Sequence, residues 1–524
     1  MLFDQFMWAE MATNYFNNAH LGFFEQLMVT DYGYLQFMQR LISYFGHILQ
    51  IPNNFIPYFY NWSSLMMIFL MLVPFISSRY EVIIKEKSLR LAVVLIIFVI
   101  ADFESINFIS FSYFGLFLFL IESIRLFWTK KVLWYDYLIP FLFLSKPILL
   151  IFYPIFFVLL LLLRTKEFLF IFIVSSLLVV LQVTTAMDYI GNSALASVNS
   201  SININSQTLL NAAALLFSSF AKVIFFEFVQ NYYVALILGF VIFIYLFKNL
   251  NHENRINLLI ILSATFGGIL FNSLVLNNWQ QPDEIFDKRL FRQNIFIYMN
   301  NILLIGIFVS NLKSFEFLSR FKLFNKHKSW VLFLSFIILS LLMPMHIYKN
   351  GFKINNLKLS GSYGWESFSN SNFSEYCYSI NPAGWVFGNT HCNVYRNQEL
   401  IDHRITKSSF SKNKSNNIKI RVPSNSLPKE LMAFSLSIKF DDKKNIYHKD
   451  KISCELNIYD ANNNLIINRS SMFMMRSGMG NIEFNFEPIL LENPDYFFEL
   501  ICDKGFYYDD AGIEKTNFLI IGRP

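Results

Sequence analysis

Runs of apolar residues nearly free of charge recur along the first two thirds of this chain, and they decide what it can fold into. Leu89 to Ala101, Phe168 to Val180, Tyr233 to Phe247, Ile256 to Leu276 and Trp330 to Met343 are such runs. A helix needs about 20 largely apolar residues to cross ~30 Å of hydrocarbon, and several of these runs reach that length only with their polar and aromatic flanks. Composition agrees with lipid as the solvent. Of 524 residues 54% are hydrophobic and only 15% charged, with a mean hydropathy of +0.40, far from the balance of a soluble globule. The expected architecture is a multi-pass α-helical membrane protein with about 9–11 membrane segments. The 61 Phe and 26 Tyr suit lipid-facing helices with interfacial aromatics, although an AT-rich gene would give a similar bias.

Charge sets the sidedness. Arg79 to Arg90, Arg125 to Lys131, Arg164 to Lys166, Lys248 to Arg255 and Lys313 to Lys328 are short and basic, which places them in the cytoplasm. Asp102 to Asn107, Asp188 to Gln207 and Asn277 to Arg292 have the opposite character and are expected outside. This parity requires two short passes around Pro147 within Leu138 to Leu163, and a broken, interfacial or paired segment over Leu209 to Phe228. A last apolar run, Val331 to Met343, then carries the chain outward. The net charge of +6 belongs to this inside bias and implies no nucleic acid.

The boundaries that follow are 1–58, an outer loop of amphipathic interfacial helices; 59–347, the transmembrane domain; and 348–524, an extracytoplasmic β-rich domain. All four cysteines, Cys377, Cys392, Cys454 and Cys502, fall in the last of these, as suits a compartment where thiols oxidise. They allow three pairings. Cys377 with Cys392 and Cys454 with Cys502 is the favoured one, against the plainer reading of unpaired buried thiols. Alternation over Ile418 to Val422, Phe434 to Phe440, Ile452 to Tyr459, Ile482 to Phe486 and Tyr496 to Ile501 predicts strands of a β-sandwich-like fold. Asp460-Ala-Asn-Asn-Asn464 reads as a hairpin loop, since Asn tolerates left-handed backbone. Residues 8–50 carry Phe16, Phe23 and Phe24, then Phe37, Leu41, Tyr44 and Phe45, at near-helical spacing, as in surface-lying amphipathic helices or an ordinary packed helical loop. Charge counting puts 1–58 outside with nothing in it to export it, so a preceding transmembrane helix, missing from this sequence, is expected.

Several short segments resemble the multi-pass GT-C glycosyltransferases, which use a sugar carried on polyprenyl phosphate. They are Trp8-Ala-Glu-Met11 with Asn14-Tyr-Phe16; Asp31-Tyr-Gly-Tyr-Leu35 with Arg40; Ser145-Lys-Pro147; Asp287-Lys-Arg-Leu-Phe291, where Leu replaces a family Tyr; and Ile380-Asn-Pro-Ala-Gly-Trp385. Together they span most of residues 8–390, and in size and layout the chain looks closest to phage- or island-encoded glucosyltransferases that decorate O-antigen. Two features depart from the pattern: the missing first helix, and Met11 where some relatives carry a second acid.

The resemblance implies an inverting hexosyltransferase of the bacterial inner membrane with a periplasmic C-terminal domain. It would move one sugar, glucose by analogy, from polyprenyl phosphate to a glycan acceptor. Attack on an anomeric carbon is helped by a carboxylate that takes the hydroxyl proton, and the departing phosphate needs positive charge. Glu10 is the candidate base, against the alternative of a solvated loop acid. Arg289 and Arg292 are the first candidates for the lipid phosphate, unless they pair with Asp283, Glu284 or Asp287. Arg40 and Lys146 come second, Lys146 because an ammonium in an apolar stretch is either functional or snorkelling. Asp31, Tyr34, Asp287 and Trp385 complete the expected substrate contacts. No cofactor is expected. A divalent metal on Glu10, Glu25 and Asp31 is conceivable but not favoured, and His20 and His47 read as structural. The absence of a Walker loop, a dinucleotide fingerprint and HExxH weighs against ATP-driven transport and zinc proteolysis. The competing readings are an O-antigen polymerase or ligase, a lipid-linked glycan flippase or transporter, and an acyltransferase, for which no His-centred motif is present.

Overall fold

Apolar runs bounded by basic residues fold as helices whose ends coincide with those residues. In the computed structural model, which describes residues 7, 11–31, 33–101, 103–192, 206–225, 231–275, 295–311, 365, 377–380, 385–388, 393–396, 415–423, 430–439, 451–474, 479–491, 495–506 and 518–523, helix α6 (Gly115–Thr129) ends at Lys130 and α7 (Tyr153–Leu163) ends at Arg164. Both terminal residues are left-handed, φ 52° and 53°, and donate their N–H groups to Leu126 and Leu160. A cation at a helix C-terminus also complements the negative end of the macrodipole.

The chain divides into two compact units. One contains residues 21–45 and 61–346, the other residues 1–20, 46–60 and 347–524. The first is helical: α1 (Phe23–Met28), most of α2 (Phe37–Ile48) and α3 (Ile56–Leu72), then α4 (Lys87–Ile100), α5 (Phe103–Ile106), α6, α7, α8 (Lys166–Asn192), α9 (Ser206–Phe225), α10 (Tyr232–Asn249), α11 (His252–Val275) and α12 (Ile295–Asn311). Among the described residues four helices are long and apolar enough to cross a membrane: Asn53–Ile76, Phe111–Thr129, Lys166–Met187 and His252–Ser273. Pro147–Leu163, Tyr232–Lys248 and Ile295–Asn311 are shorter apolar helices. Helix α8 exposes Leu169, Phe170, Ile173, Leu177 and Val180, the surface of a helix whose solvent is hydrocarbon. The run at 331–343 lies outside the described residues.

Close helix contacts depend on glycine and on buried amides. A Cβ added at Gly239 of α10 would stand 1.9 Å from the Phe217 carbonyl oxygen of α9. Asn300 of α12 donates to Thr265 Oγ1 of α11 at 2.9 Å. Small residues and interhelical hydrogen bonds are what lets helices associate in lipid, where apolar surface alone gives no drive. Residues 206–225, for which a break was one expectation, form one continuous helix. The stretch around Pro147 is two helical pieces, Trp134–Leu144 and Pro147–Phe152 running into α7, separated at Ser145 and Lys146.

Helix α2 reverses the usual amphipathic order. Gln36, just before it, and Gln39, Arg40 and Ser43 on it are fully buried, whereas Phe45, Ile48 and Leu49 are exposed. The spacing i, i+3, i+4, i+7 puts the polar side chains on one stripe, and that stripe faces inward. Phe45, Ile48 and Leu49 lie on the exposed side, opposite to a helix bathed in water.

The C-terminal strands form two four-stranded antiparallel sheets, ordered β10-β7-β12-β5 and β6-β11-β8-β9. Their members are β5 (Asn393–Arg396), β6 (Ser415–Pro423), β7 (Glu430–Lys439), β8 (Lys451–Asp460), β9 (Leu465–Met474), β10 (Met479–Leu490), β11 (Asp495–Phe506) and β12 (Phe518–Arg523). Phe434 on β7 stacks on Phe498 on β11, centroids 5.2 Å apart, so the sheets meet face to face. Leu456, Ile458, Tyr496 and Leu500 alternate onto the same buried side. A separate pair, β3 (Cys377–Ile380) and β4 (Trp385–Gly388), is antiparallel. The β8–β9 loop follows its sequence chemistry. Asn463 is left-handed at φ 63°, and Asp460 Oδ1 accepts from the N–H groups of Asn462 and Asn464, both at 2.8 Å. Cys454 and Cys502 are cross-strand partners and form a disulfide, with Cα atoms 4.1 Å apart.

Candidate functional site

Four of the expected site residues, Asp31, Tyr34, Arg40 and Lys146, lie in the helical unit, and a ring of contacts joins three of them while Arg40 shares its inward stripe. Thr30–Asp31 and Tyr34–Leu35 form β1 and β2, a two-stranded hairpin with Asp31 opposite Tyr34. Gly33 sits in its turn at φ 81°, where a side chain would be strained. Lys146 Nζ donates to Tyr34 OH at 3.0 Å, 4.9 Å from that ring's centroid and 5.7 Å from the Tyr113 ring. Gln36 Nε2 donates to Asp31 Oδ2 at 3.2 Å. Gln39 Nε2 donates to the Ile109 carbonyl and to Ser112 Oγ, each at 3.2 Å. The ring therefore runs from the hairpin through α2 to residues 109–113, on to Lys146 and back to Tyr34.

The hairpin is held from α8. Leu35 N–H donates to Gln182 Oε1 at 2.9 Å, and Gln182 Nε2 returns a bond to the Leu35 carbonyl at 3.4 Å. Gln182 is buried in a helix that otherwise presents apolar side chains outward. Its amide takes the place of a neighbouring strand.

Arg40 is 0%, Lys146 5% and Asp31 5% exposed. An ammonium over aromatic rings gains from their quadrupoles, and a buried ammonium in an apolar helical unit marks a place where charge is handled. Among the described residues no group of three His, Cys, Asp or Glu side chains could hold a metal ion. Glu25 is exposed, as are His20 and His47.

Other expected residues fall elsewhere. Glu10, Asp287, Arg289, Arg292 and Cys392 lie outside the described residues. Trp385 and Cys377 belong to described strands, β4 and β3. In the second unit β4 packs beside a short π-helix, Met11–Phe16, that begins one residue after Glu10. Phe16 meets Trp365 edge to face at 5.0 Å, and Trp365 Nε1 donates to the Asn53 carbonyl at 3.1 Å. The segment after Glu10 and the strand that starts at Trp385 are thus neighbours.

Sequence reasoning did not single out Gln36, Gln39, Tyr113 or Gln182. The signal for the first two was present: Gln36, Gln39, Arg40 and Ser43 already mark a polar stripe by spacing. A second polar cluster lies apart from this ring. Arg125 donates to Glu122, to both oxygens of Asp136 at 2.7 and 2.6 Å and to the Lys131 carbonyl at 2.8 Å, while Tyr80 OH donates to Glu122. One guanidinium here bridges two carboxylates, and a tyrosine hydroxyl bonds one of them, which reads as a structural tie and not as a ligand site. Comparison with protein-family models and with curated proteins gives no match for the chain.

Proposed function

We propose that this protein is a glycosyltransferase that moves one sugar from polyprenyl phosphate to a glycan acceptor such as O-antigen, at the outer face of the bacterial inner membrane. The observation that carries the reading is the buried ammonium of Lys146, bonded to Tyr34 and lying against the Tyr113 ring inside an apolar helical unit. An anion with a hydrocarbon tail is the ligand such a place suits, because its charge meets the ammonium while the tail stays among lipid-exposed helices.

In the proposed reaction an acceptor hydroxyl attacks the anomeric carbon, the bond from that carbon to the phosphate oxygen breaks, and its electron pair leaves on the lipid phosphate. The hydroxyl proton passes to Glu10, and the stereochemistry inverts. Lys146 and Arg40, together with Arg289 and Arg292, offset the charge on the departing phosphate. Trp385 and Asp287 serve the sugar, and the β-sandwich of the C-terminal region stands in the periplasm. The Cys454–Cys502 disulfide supports that placement.

Surface polysaccharide from cells with and without the gene is expected to differ by one hexose per repeat unit, read by mass spectrometry. Glu10→Gln is expected to abolish that increment while membrane levels of the protein stay unchanged. Full transfer by the variant removes Glu10 as base, and unchanged polysaccharide mass removes the function.

A further inference from the structure

The ring that accounts for a phosphate leaves a different chemistry over. Gln36 Nε2 faces the Asp31 carboxylate and Gln39 Nε2 faces the Ile109 carbonyl. Both partners only accept, so each amide is oriented with its nitrogen committed and its oxygen turned away. Gln36 Oε1 and Gln39 Oε1 are buried and accept no hydrogen bond from the described residues; Ser110 Oγ and Ser145 Oγ, beside the ring in the chain, are likewise buried without a partner. Leaving buried acceptors unmet opposes folding, and here two recur three residues apart, Gln36 just before α2 and Gln39 on it. A phosphate cannot meet them, because its oxygens only accept. A hydroxyl can, since it donates to the amide and still accepts from a serine.

We infer that Gln36 and Gln39 form a subsite that reads the hydroxyl groups of a neutral sugar beside the phosphate position at Lys146 and Tyr34. The inference rests on the polyprenyl-phosphate-sugar reading and assigns the head group its place in that same ring. An uncharged hexose offers hydroxyls to these acceptors, while an amino sugar would bring an ammonium towards Lys146. A site built to bond a hydroxyl discriminates strongly against a ligand that lacks it.

The test measures lipid binding to the full-length protein in nanodiscs by native mass spectrometry, with polyprenyl phosphate and polyprenyl phosphoglucose as probes. Wild type is expected to prefer the glucosylated lipid. Gln36→Met and Gln39→Met, similar in length but without the amide, should each cut that preference for the glucosylated over the bare lipid by about tenfold. A preference that survives both substitutions overturns the subsite while the donor reading stands. Equal loss of both lipids also overturns it, because the amides then serve the scaffold and not the sugar. Should wild type bind the bare lipid but not the glucosylated one, the subsite falls; should it bind neither, the donor reading itself fails.

Discussion

At the scale of single residues, a formal charge in the sequence says little about who satisfies it. Arg125 opens a stretch that marks the cytoplasmic side by charge counting, yet its guanidinium is 1% exposed and spends its donors on Glu122, Asp136 and the Lys131 carbonyl. Removing one partner of a buried ion pair leaves the other charges uncompensated, at a cost of about 3–5 kcal/mol. Arg125→Met should therefore lower the thermal midpoint of the detergent-solubilised protein sharply. The triple variant Glu122→Gln, Arg125→Met, Asp136→Asn should recover most of that loss, and an equally unstable triple variant would show that shape rather than charge is at stake. Lys146 was more legible, because an ammonium in an apolar stretch is conspicuous by itself. Its pairing with Tyr34 and Tyr113 was not, since neither distance along the chain nor residue type announces those contacts.

Elements carry their periodicity openly and their orientation less so. The helical spacing of Phe37, Leu41, Tyr44 and Phe45 is visible in the sequence, but which face of α2 is covered depends on what surrounds the helix. In water the aromatic side would be buried; here the amides and Arg40 are. Strands β6, β7, β8, β10 and β11 were legible from alternation and the β8–β9 turn from its asparagines, whereas β5 and β12 were not, and the sheet order, with β7 between β10 and β12, depends on long-range pairing that no local pattern encodes. Helix contacts are similarly hidden. Gly239 reads as one more small residue in an apolar run, yet it touches the backbone of Phe217. A methyl group there must push α9 and α10 apart, so Gly239→Ala should destabilise the helical unit by about 1–3 kcal/mol. A melt of the variant in detergent checks this, with Gly267→Ala, where a Cβ meets nothing within 4 Å, as the control.

For the molecule as a whole, composition announced an apolar helical part and a β-rich end, and the division into units has that content with one rearrangement. Residues 1–20 and 46–60 cluster with 347–524, while 21–45 belong to the helices, because the hairpin and α2 complete the polar ring there. Contiguous boundaries read from sequence cannot express such interleaving. The cysteine pattern offers a test at this scale. In intact cells a thiol reagent should leave Cys454 and Cys502 unlabelled until a reductant is added, and labelling without reduction would place this region in a reducing compartment. Reduction should also cost the sheets about 2–5 kcal/mol, seen as earlier unfolding in a melt of the full-length protein. Finally, the Leu35 main chain is completed by a side chain 147 positions further on, so a nascent chain emerging from its amino end must wait for half a dozen later helical segments to be made before its hairpin has a partner. The ring around Asp31 and Tyr34 is consequently a late product of biosynthesis, although its first residues are translated well before the partner that holds them.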